Sequence, residues 1–189
     1  MNAYEESIIL IGPMGVGKSS AAKEIARILH IDYIDIDNLR WEYFSKQPDY
    51  SEQIVDELFN NSKEIEAFCY MKPFEARFTI DFLENNNCGV FDFGAGYSVY
   101  EDAELFDKVK KAFQKYKHII YLKYSDDDIE SLEALRNRHG DIPNDLYLFL
   151  NGSFVKSSCN EALATSIIET KNKTVHEVVE LVLANVRPK

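Results

Sequence analysis

The segment Gly12-Pro13-Met14-Gly15-Val16-Gly17-Lys18-Ser19 has the spacing G-x-x-x-x-G-K-[ST], and each residue type in it suits the holding of a polyphosphate. Glycines let the backbone turn tightly so that amides face phosphate oxygens. A helix beginning at the end of such a loop adds the positive end of its dipole. Lys18 is placed to reach the β and γ phosphates, and the Ser19 hydroxyl to ligate Mg²⁺. Gly12, Met14, Gly15, Val16, Gly17, Lys18, Ser19 and the following Ser20 are therefore the expected nucleotide-binding residues, with ATP and Mg²⁺ as expected cofactors.

Acids with a matching task follow. Tyr33-Ile34-Asp35-Ile36-Asp37 reads as a strand whose alternation puts Asp35 and Asp37 on one side, at the end where the phosphate loop also lies. A carboxylate there can hold Mg²⁺ through water or take a proton from a substrate hydroxyl. The alternative is a pair of solvated turn acids. Asp92, closing the apolar run Val90-Phe91-Asp92-Phe93, is either a third acid near the metal or an acid at a packing edge.

These residues need a scaffold, and short apolar runs alternating with helical patterns supply an α/β one with a parallel sheet. Ser7–Ile11 reads as a buried strand ending at the phosphate loop. Lys18–Leu29 reads as a helix with Ala21, Ala22, Ile25, Ala26 and Leu29 on one face. Ile31–Ile36, Val90–Phe93, His118–Leu122 and Thr165–Glu169 read as four further strands. Ser98 with Glu101 and Thr174 with Glu177 fit the capping box. The apolar stripe from Val175 to Val186 reads as packing against the sheet. A mostly helical insertion spans about 38–87, interrupted by Pro73, and a polar, loop-like one spans about 126–160. Insertions after strand ends are where α/β folds build substrate pockets and lids. Trp41, Tyr43 and Phe44 read as packing rather than substrate stacking.

Composition narrows the function classes. A chain of 189 residues with 46% hydrophobic residues fits one domain with a real core. Its formal net charge of -11 opposes binding to nucleic acid or to anionic membranes. Cys69, Cys88 and Cys159 show no zinc spacing and no paired count, and read as buried reduced thiols. No stretch has the length of a membrane span, and the acidic N-terminal residues do not suit a signal peptide. The expectation is a cytoplasmic monomer whose partner is a small molecule.

On these residues the chain resembles the shikimate kinase family. Gly12-Pro13-Met14-Gly15-Val16-Gly17-Lys18-Ser19 is close to that family's G-x-M-G-x-G-K-[ST], Tyr33–Asp37 is similar to its F-x-D-x-D, and Gly94-Ala95-Gly96 stands where it has a G-G-G turn under the substrate. The resemblance implies a three-layer P-loop fold with a five-stranded parallel sheet in the order 2-3-1-4-5. It implies Asp35 supporting the metal, and Asp37 binding and helping to deprotonate the acceptor hydroxyl. Gly94, Ala95 and Gly96 would present amides to the substrate. Arg138, in the lid-like insertion, would close over the transferring phosphate, although the neighbouring Arg136 could take that place.

The chain also departs from the family. Where shikimate kinases hold the substrate carboxylate with two arginines, the matching positions here are Lys72 and Lys156. Lysine is a point charge and lacks the guanidinium fork, so an anionic substrate would be held differently. Arg138 is followed by His139-Gly140-Asp141 rather than Pro-Leu-Leu, and the first insertion is longer. The leading expectation is ATP-dependent phosphorylation of a small hydroxylated metabolite. Two other classes remain open. One is an ATP-binding regulator or degenerate kinase that turns over no metabolite. The other is a nucleoside or nucleotide kinase, which usually carries more lid arginines than Arg136 and Arg138.

Overall fold

A computed structural model describes residues 6–138 and 142–186. His139, Gly140 and Asp141 of the lid-like insertion lie outside the described residues. The chain runs β1 (Ser7–Ile11), α1 (Lys18–Leu29), β2 (Tyr33–Asp35), α2 (Arg40–Phe44), α3 (Glu52–Asn60), α4 (Glu64–Asn85), β3 (Gly89–Asp92) and α5 (Ala103–Phe113). It continues with β4 (His118–Lys123), α6 (Asp128–Arg136), α7 (Asn144–Lys156), α8 (Cys159–Leu163), β5 (Ser166–Glu169) and α9 (Val175–Val186). Single 3₁₀ turns occupy Ile36–Asn38 and Ala95–Ser98.

The five strands are all parallel in the order β2-β3-β1-β4-β5, as expected. β1 is central and buried throughout, which is why Ser7-Ile8-Ile9-Leu10-Ile11 reads as a continuous rather than an alternating apolar run. Alternation still sorts its side chains. Ile8 and Leu10 join Val90, Ile120, Leu122 and Ile168 against the apolar faces of α1 and α9. Ile9 and Ile11 join Phe91, Ile119 and Tyr121 against α4 and α5. Each fully buried aliphatic side chain contributes roughly 1.5–3 kcal/mol, and the two faces together make the three layers.

The first insertion is helical, as anticipated. α4 runs through Pro73 rather than starting or ending there, and aromatic contacts clamp it. Phe44, fully buried, meets Phe74 and Phe78 at 6.0 and 6.4 Å between ring centres. Tyr43 packs on Phe78, whereas Trp41 is 45% exposed with the Arg40 guanidinium over its ring. The second insertion is more helical than its polar sequence suggests, since α6 and α7 occupy most of it.

Three local expectations are corrected. The second strand ends at Asp35, so Asp37 lies in the following 3₁₀ turn and not on the strand. Its position is set by the turn, whose amide at Asp37 donates to the Asp35 side chain. Ser98 does not cap α5. That helix starts five residues later, with the Asp102 carboxylate accepting from the Leu105 amide, and Ser98 donates instead to Asn160. Of the cysteines only Cys159 is buried; Cys69 and Cys88 are exposed. The capping box at Thr174 and Glu177 forms in both directions.

Candidate functional site

The phosphate loop joins β1 to α1 with Gly12, Gly15 and Gly17 at φ of 142°, 79° and 105°, a region that side chains with a Cβ rarely adopt. At Gly12 the demand is also steric: a Cβ there would lie 2.2 Å from the Leu122 carbonyl oxygen on β4. The loop is therefore pressed against the sheet, while Ser19 and Ser20 open the helix exposed. These features form the cradle that a polyphosphate requires, so the residues present fit ATP.

Lys18 is buried and turned back on the loop, donating to the carbonyls of Gly12 and Pro13 at 2.8 and 2.9 Å. Burial pulls its pKa down to about 8, against the opposing pull of Asp92 and Asp37. The ammonium is thus held in reserve inside the loop, and an arriving phosphate would replace those two carbonyls as its partner.

Asp92 ends β3 in register with Leu10 of β1 and Asp35 of β2. It is buried, one oxygen accepting from the Tyr33 hydroxyl at 3.1 Å and the other without a hydrogen-bond partner. A buried, unsatisfied carboxylate oxygen is costly unless something fills its place. Such an unpartnered carboxylate oxygen is a hard donor of the kind that suits Mg²⁺ and its bound waters. Asp35 lies alongside and accepts from the Asp37 amide and from Asn38 Nδ2, so turn formation already uses part of its capacity.

Asp37 lines a cavity of about 810 Å³ that Met14 of the phosphate loop also lines. Its carboxylate lies directly over Gly94, where a Cβ would come within 2.6 and 2.7 Å of the two oxygens. Its side chain is half exposed, yet desolvation by the cavity walls raises its pKa and Asp35 adds to the rise, while Arg40 and Lys18 oppose it. Arg40 donates to Asp37 at 3.2 Å. The Gly94-Ala95-Gly96 turn lines the same floor, with Lys72 and Glu75 of α4 beneath Gly96. Lys72 donates to Gly96 O and Glu75 and lies 4.6 Å from the Tyr100 ring centre.

Two predicted residues part company. Arg138 reaches the phosphate loop, donating to the Gly15 carbonyl at 2.9 Å, whereas Arg136 turns to the Ile142 carbonyl and the Tyr147 ring. Lys156, the last residue of α7, is exposed and is not among the residues lining the cavity.

Two residues were missed. Arg40 stands only three residues after Asp37, and the 3₁₀ turn leading into α2 brings its guanidinium onto that carboxylate. Asn151 is fully buried on α7 and clasps Met14, accepting from its amide at 2.8 Å and donating to its carbonyl at 3.3 Å. A polar residue amid Leu148-Phe149-Leu150 was the available signal, since a buried amide needs partners.

Comparison with known proteins bears on the fold that carries this geometry. A model of the ATPase family associated with various cellular activities (AAA) matches residues 8–71. A shikimate kinase from Psychromonas ingrahamii is 49% identical over 35 residues, 18% of this chain and 20% of its own length. The chain thus spans about a fifth of the first curated relatives it matches. One from Bacillus pumilus is 24% identical over 151 residues, 76% of this chain and 72% of that protein. Among solved structures, the shikimate kinase from Acinetobacter baumannii in complex with shikimate superposes at a TM-score of 0.66, with 16% identity and 98% and 97% of the two chains covered. A gluconokinase from Sinorhizobium meliloti superposes at 0.57, with 15% identity and 97% and 93% covered. By sequence and fold together the chain resembles the shikimate kinases, and its fold is that of the P-loop small-molecule kinases.

Proposed function

We propose that this protein transfers the γ-phosphoryl group of ATP to a hydroxyl of a small molecule bound in the cavity over Gly94–Gly96. The observation that carries the reading is the shared cavity: Met14 of the phosphate loop and Asp37 line one continuous space. An acceptor resting on Asp37 would therefore face the terminal phosphate. The named activities of the similar proteins, shikimate kinases and a gluconokinase, support a hydroxyl acceptor.

In this reading the acceptor oxygen forms the new bond to phosphorus and the bond to the β-γ bridging oxygen breaks. ADP leaves with that electron pair, and the acceptor proton passes to Asp37. The raised pKa of Asp37 suits a proton acceptor better than an ordinary carboxylate would. Lys18 moves from the loop carbonyls to the phosphate oxygens. Arg138, already at the Gly15 carbonyl, turns its fork toward the transferring group, which it can contact with two donors. Ser19 and Asp92, with Asp35 contributing beside them, would hold Mg²⁺, which would neutralise charge on the phosphates. Positioning and charge stabilisation supply most of the acceleration.

The test is ADP release measured over a panel of hydroxylated acceptors. Acceptor-dependent release that Lys18→Ala abolishes supports the reading. Tight ATP binding with no acceptor-dependent release would favour an ATP-binding regulator instead.

A further inference from the structure

The cavity has two unlike parts. Its floor is polar, built from Asp37, Arg40, Lys72, Glu75 and the Gly94–Gly96 turn. Its walls are apolar, made by Phe59, Phe68, Leu105, Leu146, Leu150 and Phe154 of α3, α4, α5 and α7. Phe59 keeps 40% of its surface exposed, a large apolar area for a residue facing solvent. The volume of about 810 Å³ lies toward the upper end of the ~300–1,000 Å³ common for ligand pockets. Even allowing each non-hydrogen atom the roughly 30 Å³ of a liquid water, a hydroxy acid of about twelve such atoms takes up roughly 360 Å³. A compact polar acceptor would leave much of the apolar wall uncovered.

The charges on the floor are already matched. Arg40 pairs with Asp37 at 3.2 Å, and Lys72 with Glu75 at 2.9 Å. Glu75 is buried, so withdrawing Lys72 to hold a ligand carboxylate would leave an uncompensated buried charge. Glu101 and Asp102 also line the cavity, so that four acids and two bases face it. Lys156, the other lysine at a family arginine position, points elsewhere. The lining therefore repels a carboxylate more than it attracts one.

We infer that the acceptor is an uncharged alcohol with a bulky apolar body, its hydroxyl on Asp37 and its body between α4, α5 and α7, and not a hydroxy acid. The inference rests on the phosphotransfer reading above, but binding tests it separately. Trp41, the chain's one tryptophan, lies beneath Arg40 and supplies a fluorescence signal at the floor.

The experiment compares 4-isopropylbenzyl alcohol with 4-(hydroxymethyl)benzoate, which has a similar body and a carboxylate, and with shikimate. Binding to the full chain is followed by Trp41 fluorescence and calorimetry, and turnover by ADP release. The alcohol is expected to bind at least about tenfold more tightly than either acid. Leu105→Gln should weaken the alcohol about tenfold and leave ATP affinity unchanged. Glu75→Gln, which releases Lys72, should narrow the gap by strengthening the benzoate. Acids that bind as tightly as the alcohol, or an alcohol that does not bind at millimolar concentration, would overturn the inference. If an acid is then the better phosphorylated acceptor, the phosphotransfer reading survives alone. If the alcohol binds as expected but neither it nor any acceptor of the panel is phosphorylated, the inference about the cavity stands and the phosphotransfer reading falls.

Discussion

Lys18 carries its charge under strain of a specific kind. It is buried, its ammonium hydrogen-bonded among the described residues to two carbonyls, and its pKa lies at about 8. A lowered lysine pKa means that the free protein keeps the cation below about pH 8 and loses it above. Bound phosphate favours the cation. ATP affinity should therefore be full below about pH 8 and weaken by up to tenfold per pH unit above it, as calorimetry from about pH 6.5 to 9.5 would show. An affinity that stays flat across that range would contradict this account of Lys18. The same scale holds Asp37, whose raised pKa places the acid limb of kcat/KM for the acceptor above the usual carboxylate range of ~4. Gly94→Ala offers a cleaner probe. Gly94 has an ordinary negative φ, so the added methyl strains no backbone, and its nearest neighbours are the Asp37 carboxylate atoms. We expect kcat to fall about a hundredfold through misplacement of the base, with stability changed by about 1 kcal/mol or less. An unchanged kcat would remove Asp37 from the reacting end of the cavity. The phosphate loop was legible at this scale because its chemistry is local: glycine conformations, a lysine and a hydroxyl in fixed spacing. Arg40 and the ion pairing of Lys72 were not: each is a local pair three residues apart, but that the turn and α4 bring both pairs to one cavity floor depends on how the insertion packs.

At the scale of elements, α7 does more than cover the cavity. Asn151 binds both polar groups of Met14 and donates to the Tyr147 hydroxyl, which in turn donates to the Leu132 carbonyl of α6. The chain α6–α7–phosphate loop is thus one buried hydrogen-bonded unit, and the helix lining the acceptor cavity is fastened to the loop that would hold ATP. Asn151→Ala leaves several buried groups without partners and should cost about 2–3 kcal/mol, or roughly 4–12 °C in Tm for a chain of this size. ATP should also bind less well, because the loop loses its clasp. Calorimetric melting with and without nucleotide measures both, and a wild-type Tm would refute the clasp. The strands and the helices of both layers were readable from apolar runs and their period, and the strand order from the resemblance to the shikimate kinases. The end of β2 was not. Tyr33–Asp37 alternates as a strand should, but the Asp35 side chain captures the Asp37 amide and starts a 3₁₀ turn, a competition that a period count does not register. The lid region misled in the opposite direction, because its polar residues masked the apolar face of α7.

For the whole molecule, the parallel sheet gathers the C-terminal ends of β1, β2 and β3 at one edge, where the phosphate loop, Asp35, Asp92 and the Gly94 turn follow from them. That is the place at which open α/β sheets bind ligands. The insertions then enclose the acceptor side and give it an apolar interior. Resemblance to the shikimate kinases accounts for the first of these features, and the paired charges and apolar walls depart from it. Asp37→Asn tests the combined account most directly, since asparagine keeps the shape and cannot take the proton. Across a panel that includes apolar alcohols, acceptor-dependent ADP release should fall at least a hundredfold, while ATP affinity stays within about twofold of wild type. ADP release that persists in Asp37→Asn, or that never depended on an acceptor in the wild type, would contradict the claim that this cavity delivers a hydroxyl to ATP.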